Sequence, residues 1–354
     1  LASRPYEVTA AALSDQRSIP DLGAVAALAT AFARVHPRPG PGDPLGPDGR
    51  TLMAGIGAHA ITPLRSPAAT GVGLVLGSLL HAPLGWALPV GGSGAITDAL
   101  HRALVAAGGE VRTGVRVTSL DELDAPDVVF TTSARGLGAV LLASDPSPAT
   151  ARRATRLTRA RVGGAAAKVD LVLSGPVPWK DPRVAGAGTI HLGGDSTAIA
   201  RAELEVAAGR HADRPMILVS QPWVADPSRI APDGRRPLWT YVHVPAFSER
   251  DQTEQVLTAL DSVAPGIRDV VVATHCTPAA GMHEHNANYA GGDIAAWKID
   301  ILGLLARPLP RLDPFSTGVP GIWHASASTT PGPGVHGMAG QHVAERILRR
   351  RRTG

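Results

Sequence analysis

The region between residues 168 and 276 constrains the fold of this 354-residue chain more than any other part of it. Five strand candidates recur there, and only two patterns of helical spacing, at residues 197–208 and 253–263, interrupt them. Short strands grouped in this way are typical of an α+β domain built around an antiparallel sheet. The five predicted strands are KVDLVLS, TIHLGG, MILVSQP, LWTYVHVP and DVVVATH.

Segments of α/β character lie on both sides of that region, so we expect domains that are discontinuous in sequence. On the amino-terminal side, a Gly-Gly-Ser-Gly turn precedes a helix and several short strands, the last of which is apolar enough to be buried on both faces of a sheet. On the carboxy-terminal side, a short strand precedes a glycine-rich segment and an amphipathic helix. The predicted elements are a helix at 95–107, strands at 110–113, 116–120, 127–132 and 321–325, and a helix that reaches residue 351.

The first ninety residues are predicted to be mostly helical and to form a cap. Residues 21–35 have an apolar face at helical spacing, and Asp21 is suited to be the N-cap. Further helices are predicted at 52–60 and 68–81.

The composition indicates a globular protein with a sizeable core. Apolar residues make up 44% of the chain and the mean hydropathy is +0.06, which suits two domains. Much of the positive charge lies at residues 152–161 and 346–352, and only 4% of residues are aromatic, so nucleic-acid binding is not expected. A single cysteine, Cys276, excludes an internal disulfide and fits a reducing cytoplasm.

Residues 71–90 are the most apolar stretch and are about as long as a membrane span. His81, Pro83 and Pro89 interrupt the stretch, and proline cannot continue a helical hydrogen-bond ladder. A buried helix that ends near His81 is therefore preferred to a bilayer crossing. A hydrophobic lip in peripheral contact with a membrane stays open as the second interpretation.

A glycine-rich segment at residues 327–338, ASTTPGPGVHGM, links the last predicted strand to the last helix. The unpaired backbone N–H groups and the dipole at such a helix start suit an anionic or electron-rich group. Three glycines around Val335 and His336 exceed what a tight turn needs, although a turn that ends the strand stays the simpler alternative. The segment lacks the Lys and Ser or Thr of a P-loop.

Two motifs in this order resemble those of one family. STTPGPGVHGMAGQHVAERIL is similar to the carboxy-terminal signature of phytoene dehydrogenase-like NAD(P)/FAD-dependent oxidoreductases, of the carotenoid and retinoid oxidoreductase branch. Residues 91–100 with 109–117 resemble that family's central Gly-Gly-helix-strand element. The resemblance covers about residue 85 to the end. It implies FAD as the cofactor and a fold of α/β plus α+β class, with an incomplete glutathione-reductase-like Rossmann domain.

The resemblance also implies a division of the chain and a set of cofactor contacts. Residues 1–90 would be a helical cap with the remainder of the substrate domain, 91–145 and 294–354 would be segments of the FAD domain, and 146–293 would be the substrate domain with its antiparallel sheet. The implied cofactor-binding residues are Val117, Thr132, Ser133, Gly334, Val335, His336, Gly337 and Met338. Val117 would lie near the adenine, and Thr132 and Ser133 would end a strand near the cofactor. Residues 334–338 would follow the flavin and its ribityl chain.

The segment NANYAGGDI resembles a family segment close to the substrate entrance. The implied substrate-binding residues are Asn288, Tyr289, Gly292 and Asp293. The nearby His283 and His285 do not have the convergent spacing of metal ligands, so no metal site is predicted. Ser93 lacks the setting of a nucleophile elbow, which argues against a hydrolase.

The sequence departs from the family at its beginning. The family starts with a strand, a GxGxxG loop and a helix that holds the cofactor pyrophosphate, and this chain has no such unit. Residues 55–60, GIGAHA, have a related spacing, but no apolar strand precedes them and Pro63 follows. We interpret them as a helix-packing feature. The start at Leu1, without an initiator Met, hints at truncation.

Two functions follow from these residues. The first is an FAD-dependent oxidoreductase of desaturase or dehydrogenase type that acts on a hydrophobic, polyisoprenoid-like small molecule in the cytoplasm. The alternative is a truncated or degenerate relative that binds an apolar ligand or a partner chain without catalysis. The electron acceptor and the oligomeric state are left open.

Overall fold

A computed structural model describes residues 1–14, 21–36, 43–144, 146–300, 307–308 and 313–353. In these residues the helices are α1 (Pro5–Ala12), α2 (Leu22–Val35), α3 (Gly46–Gly57), α4 (Pro67–Leu79), α5 (Gly94–Ala106), α6 (Ala134–Ala143), α7 (Pro148–Thr158), α8 (Ser196–Ala207), α9 (Pro222–Ala225), α10 (Thr253–Val263), α11 (Ile267–Val270), α12 (Met282–His285) and α13 (Met338–Thr353). The strands are β1 (Val128–Phe130), β2 (Ala165–Leu173), β3 (Thr189–Leu192), β4 (Ile217–Ser220), β5 (Arg236–Val244), β6 (Val271–Thr277) and β7 (Ile322–His324).

The five strands predicted between residues 168 and 276 form one antiparallel sheet in the order β3-β4-β5-β2-β6. The predicted α+β region is therefore confirmed. Successive side chains of a strand point to opposite faces, and one face of this sheet is apolar and packs against α10 and α11. Each fully buried leucine or valine there contributes about 1.5–3 kcal/mol through its removal from water. Members of this core include Val169, Leu171, Leu238, Val242, Val256 and Leu260.

The second sheet is a parallel pair, β1 with β7, in which Val128 lies opposite Ile322 and Phe130 opposite His324. Both strands were predicted. Ile322 packs with α6 and α7 on one face, and Trp323 packs with α13 on the other. The molecule is thus a mixed α/β structure with one parallel and one antiparallel sheet. The predicted domain boundaries stay predictions, and α7, which follows the boundary at residue 146, packs on α6.

A buried carboxylate fastens α13 to the start of β1. The side chain of Asp127 is 6% exposed and accepts hydrogen bonds from the Trp323 indole (3.0 Å), from Arg351 (2.9 Å) and from Arg350. The indole and the two guanidinium groups hold the pKa of Asp127 below its usual value. The arginine-rich end of α13 is therefore partly used to dock the helix.

The first ninety residues contain helices α1 to α4, in agreement with the predicted helical character; we call these four helices the cap, and α3 also packs on α8. Asp21 is the N-cap of α2 as predicted, since its Oδ1 accepts from the Ala24 amide at 2.8 Å. The segment 55–60 is a helix-packing feature, also as predicted. A Cβ on Gly57 would lie 3.1 Å from the Ala69 carbonyl oxygen, and one on Gly55 would lie 3.1 Å from His191 Nδ1.

The strands predicted at 110–113 and 116–120 are wrong. The described chain has no strand between α5 and β1, and α5 itself buries none of its side chains. β-branched residues favour a strand only where a neighbouring strand completes the hydrogen-bond ladder. No described strand lies beside this segment, so Val111 and Val115 stay 48% and 67% exposed.

The apolar stretch at 71–90 contains most of α4, which ends at Leu79, followed by turns. This agrees with the predicted helix that ends near His81. No helix in the described part of the chain has both the length and the apolar character needed to cross a membrane.

Candidate functional site

The carboxyl ends of β1 and β7 lie side by side because the strands are parallel, and the loop after each strand leads into a helix start. Ser133 caps α6, since its Oγ accepts from the Gly136 amide at 3.3 Å. The fully buried Ser328 joins the two loops: its Oγ accepts from the Ala134 amide (3.0 Å) and donates to the Ala296 carbonyl (2.9 Å). The edge of a parallel sheet where such loops meet is a common place for a ligand.

His324, the last residue of β7, connects the same two loops through hydrogen-bond contacts. Its Nε2 donates to the Thr132 carbonyl at 2.8 Å, and Ser326 Oγ lies 3.0 Å from that nitrogen. Burial lowers the pKa of His324 to about 4, although the Thr132 carbonyl opposes the shift. The ring is therefore neutral at physiological pH and acts as a fixed donor.

Asn288 and Ser133, one predicted near the substrate and the other near the cofactor, are in direct contact. The Oδ1 atom of Asn288 accepts a 2.7 Å hydrogen bond from the Ser133 amide, and its Nδ2 donates to Asn286 Oδ1 at 3.0 Å. Tyr289 follows in the same loop and is partly buried. The structure thus brings one residue from each of the two predicted sets into contact.

Gly292 and Asp293 hold this loop onto the rest of the protein. A Cβ on Gly292 would lie 2.8 Å from Ala279 Cα, so only glycine fits there. Asp293 is 3% exposed, and its oxygens accept from the amides of Gly163 (3.0 Å) and Ala295 (2.9 Å). Burial raises the pKa of Asp293 despite these bonds. Both residues therefore have packing contacts, and they do not line an open surface.

The loop from Gly334 to Met338 is open to solvent, with Val335 89% exposed. The His336 ring shapes the turn: its Nδ1 accepts from the Met338 amide (3.0 Å), and its Nε2 donates to the Gly332 carbonyl (3.2 Å). Partial burial lowers the pKa of His336. Among the described residues, none accepts a hydrogen bond from the amides of Val335, His336 or Gly337.

Arg307 lies against the segment that precedes this loop and is 2% exposed. It donates to the Ala327 carbonyl at 3.0 Å, and a Cβ on Gly332 would lie 2.9 Å from its Nη1. Burial lowers the pKa of Arg307 to about 10, while the charges of Asp293 and Asp300 oppose the shift. A glycine at position 332 thus leaves room for the Arg307 guanidinium group. Gly334 and Gly337, in contrast, are exposed to solvent.

Val117 is the predicted contact that has no hydrogen bond to these loops among the described residues. It lies on the irregular segment after α5. Its predicted role depended on a strand that is not formed.

Sequence reasoning missed a second cluster, which lies on the antiparallel sheet opposite the apolar core. Alternation along β5 puts Trp239, Tyr241 and His243 on this side, a signal present in the segment LWTYVHV. The pairing of the strands adds neighbours from β2, β3 and β6. We call this set the polar face: Lys168, Asp170, His191, Trp239, Tyr241, His243, His275 and Thr277.

One end of the polar face is covered by the cap and by α8. The His59 Nε2 and His191 Nε2 atoms are 3.0 Å apart, and the Tyr241 hydroxyl lies 3.4 Å from His59 Nδ1. Glu203 of α8 contacts His243 Nδ1 at 2.5 Å, and both side chains are almost fully buried. Burial, with smaller contributions from neighbouring histidines, lowers the pKa of His59 and His191 to about 4.

The described residues contain no group of three or more His, Cys, Asp or Glu side chains arranged to hold a metal ion. No family model matches the chain, and no curated protein matches it. Among solved structures, an oxidoreductase from Methanosarcina mazei is similar at 15% identity with a TM-score of 0.49. The match covers 82% of this chain and 62% of that one, so this chain spans less than two thirds of its length. A likeness this remote assigns neither a family nor a function.

Proposed function

We propose that this chain is an FAD-dependent oxidoreductase of the phytoene dehydrogenase type that acts on a hydrophobic substrate. The observation that carries the proposal is the exposed Gly334–Met338 loop, which follows β7 of the parallel strand pair and in which the amides of Val335, His336 and Gly337 donate to no described residue. Amides in this position would donate to an electron-rich edge of the flavin and stabilise negative charge there. The flavin supplies the hydride-accepting chemistry when bound.

The backbone at this loop and at the start of α13 is open on one side. A Cβ added to Gly337 or to Gly340 meets no heavy atom within 4 Å, so the backbone is open on that side. By the family resemblance, the residues that would hold the cofactor here are Gly334 to Met338, with Thr132 and Ser133 on the neighbouring loop. The described residues include no strand, GxGxxG loop and helix for the pyrophosphate, and we assign no contact to that part of the cofactor.

A cavity in the cap supports the proposal that the substrate is hydrophobic. Its volume is about 210 Å³, and it lies between α2, α3, α4 and α8. Its polar lining includes His36 and Thr70, whose Nδ1 and Oγ1 atoms are 2.7 Å apart, and the side chains of Arg50, Arg65, Ser196 and Thr197. Apolar residues make up much of the rest and would accommodate part of an apolar chain. These include Met53, Ala54, Leu64, Ala69 and Ala200.

The visible spectrum tests the proposal. The 354-residue chain is mixed with FAD, separated from free cofactor by gel filtration and scanned for flavin absorbance. We expect the wild type to retain the flavin and Gly337→Ala to lose most of it, because the new Cβ occupies the open side of the loop. Gly209→Ala is the matched control, since Gly209 also has a positive φ (76° against 67°) and open surroundings. A colourless but folded wild type contradicts the proposal.

The second candidate is a non-catalytic protein that binds an apolar ligand. The absence of a pyrophosphate-binding unit from the described residues favours it. It predicts that the folded chain stays colourless with FAD and that an organic extract of the purified protein contains a bound apolar molecule. Flavin that elutes with the chain and is reduced by substrate excludes this candidate.

Peripheral membrane contact belongs to the same proposal. Leu84, Leu88 and Val90 lie in the turns after α4 and are 77%, 58% and 79% exposed. Exposed apolar side chains that are close in sequence can enter a bilayer surface. We expect the chain to sediment with phosphatidylcholine vesicles and Leu84→Ser with Val90→Ser to abolish this. Equal sedimentation of the double variant contradicts the contact.

A further inference from the structure

The wall of the cavity between α2, α3, α4 and α8 carries charge of one sign. Its lining includes Arg50, Arg65 and His36, whereas no Asp or Glu of the described residues belongs to it. Partial burial lowers the pKa of His36, so its ring is neutral at physiological pH. The two arginines therefore set the charge of the wall.

The two arginines differ in what they contact. Arg50 Nε and Nη2 donate to the two oxygens of Asp43 at 2.8 and 2.6 Å, and its Nη1 donates to the Val35 carbonyl at 2.8 Å. A carboxylate bound in this bidentate way balances the charge of a guanidinium group and fixes its position. Arg65 forms neither a hydrogen bond nor an ion pair with any described residue. The cavity thus has one guanidinium group that a ligand can use.

The first turn of α8 adds two hydroxyl groups to the wall. Ser196 and Thr197 line the cavity, and neither hydroxyl forms a hydrogen bond with a described residue. Their backbone amides are already used, by Thr51 Oγ1 at 3.2 Å and by Asp195 Oδ1 at 3.0 Å, and Asp195 is not part of the lining. A hydroxyl group can donate one hydrogen bond. The side chains, and not the end of the helix, are therefore the donors that α8 offers to a ligand.

The apolar part of the wall comes from three helices. Met53 and Ala54 of α3, Ala69 of α4 and Ala200 of α8 belong to it. Ala200 follows Ser196 by four residues, so the two lie on the same side of α8 and the hydroxyl groups border the apolar surface. Ligand sites are typically apolar, with a few polar groups that fix the orientation of the ligand. This wall has that composition, and its available polar groups are a cation and two hydroxyl donors.

We propose that the cavity binds the apolar chain of a molecule that ends in a carboxylate. Arg65 and the hydroxyl groups of Ser196 and Thr197 donate to the carboxylate, and the chain lies against the apolar residues of α3, α4 and α8. A carboxylate suits this wall better than an uncharged end does, because it balances the charge of Arg65 and meets no acidic side chain in the described lining.

The inference rests on the proposed function in one respect, namely that the bound molecule is the substrate. It narrows the hydrophobic substrate to one with an acidic end. Binding in the cavity does not require the flavin, so the experiment is done without FAD. A colourless chain that binds the carboxylate contradicts only the flavin proposal, and a flavin-containing chain that does not bind it contradicts only the present one.

Isothermal titration calorimetry of the full chain with decanoate tests the proposal, and we expect saturable binding. Arg65→Gln should weaken the binding roughly 5- to 10-fold. This is less than most charge-assisted hydrogen bonds contribute, because Arg65 is exposed to solvent. Arg116→Gln is the matched control, since Arg116 is also exposed but lies outside the lining, and it should bind decanoate as the wild type does.

Decan-1-ol has the same chain without the charge and separates the carboxylate contact from the apolar one. It should bind more weakly than decanoate, and Arg65→Gln should change its affinity little. Ala200→Phe fills part of the apolar wall and should weaken both probes, whereas Ala207→Phe, at an exposed position of α8 outside the lining, should weaken neither. Circular dichroism establishes that each variant is folded.

Two results would overturn the proposal. One is a folded wild type that shows no saturable binding of decanoate. The other is an Arg65→Gln variant that binds decanoate as the wild type does, or that loses decanoate and decan-1-ol to the same extent, because the guanidinium group would then not recognise the carboxylate.

Discussion

The Oδ1 atom of Asn288 accepts a 2.7 Å hydrogen bond from the backbone amide of Ser133, a residue 155 positions earlier in the chain. The bond ties the loop that precedes α6 to the loop that follows α12. Because Ser133 is 6% exposed, water cannot readily replace the acceptor. The contact is therefore a part of the scaffold around the candidate cofactor loop as well as a meeting point of predicted residues.

Asn288→Ala should destabilise the protein by about 1–3 kcal/mol, because it leaves a buried amide without an acceptor. Asn288→Asp loses the donor to Asn286 Oδ1, but it keeps an acceptor oxygen for the Ser133 amide and its charge is favourable at the start of α6, so its effect should be smaller. The free energy of unfolding in urea measures both. Equal losses for the two variants would show that the hydrogen bond is not the cause.

Glu203 and His243 should behave as a coupled pair. His243→Leu leaves a buried carboxylate uncompensated and should cost about 3–5 kcal/mol. The double variant Glu203→Leu with His243→Leu removes both polar groups and should cost clearly less than the sum of the single changes. Urea unfolding of the four proteins gives the coupling energy, and strict additivity is the contrary result.

Histidine burial should make the protein less stable in mild acid. The pKa of His324 is about 4 when folded, against a usual value of 6.5, so the unfolded chain binds more protons between these values. Stability is thus full above pH 6.5 and falls as the pH approaches 4.

His324→Gln keeps a donor for the Thr132 carbonyl and should reduce the slope of stability against pH by about 1.4 kcal/mol per pH unit. The control His101→Gln, on the exposed helix α5, should keep the wild-type slope. The measurement is urea unfolding at a series of pH values. An unchanged slope in His324→Gln means that another group causes the loss.

Gly292 and Gly108 separate crowding from backbone strain. Both have a positive φ, 84° and 83°, but a Cβ on Gly108 meets nothing within 4 Å, whereas one on Gly292 lies 2.9 Å from the Ala166 carbonyl oxygen. Gly108→Ala should cost about 1–2 kcal/mol from its φ alone. Gly292→Ala should cost about 1–3 kcal/mol more through overpacking. Equal melting temperatures for the two variants would contradict the crowding.

Local patterns were sufficient for much of the fold. The five antiparallel strands, the helical cap, the N-cap Asp21 and the strands at 127–132 and 321–325 all followed from periodicity and from end signals within a few residues. The same reasoning failed for the strands predicted at 110–113 and 116–120, because a strand also needs a neighbouring strand with which to form hydrogen bonds. Val111 and Val115 have strand-forming side chains, but no described strand completes their ladder.

The sequence by itself determined most of the helices and strands, and which glycine-rich loop opens the last helix, because these depend on neighbouring residues. Only the tertiary structure decided that Asn288 reaches Ser133 and that His59 meets His191 across 132 positions. It also decided that Lys168 lies opposite Tyr241. The physical reason is that strand pairing and burial bring together side chains that are far apart in sequence. The spacing of residues within one segment does not show which distant segment it will contact.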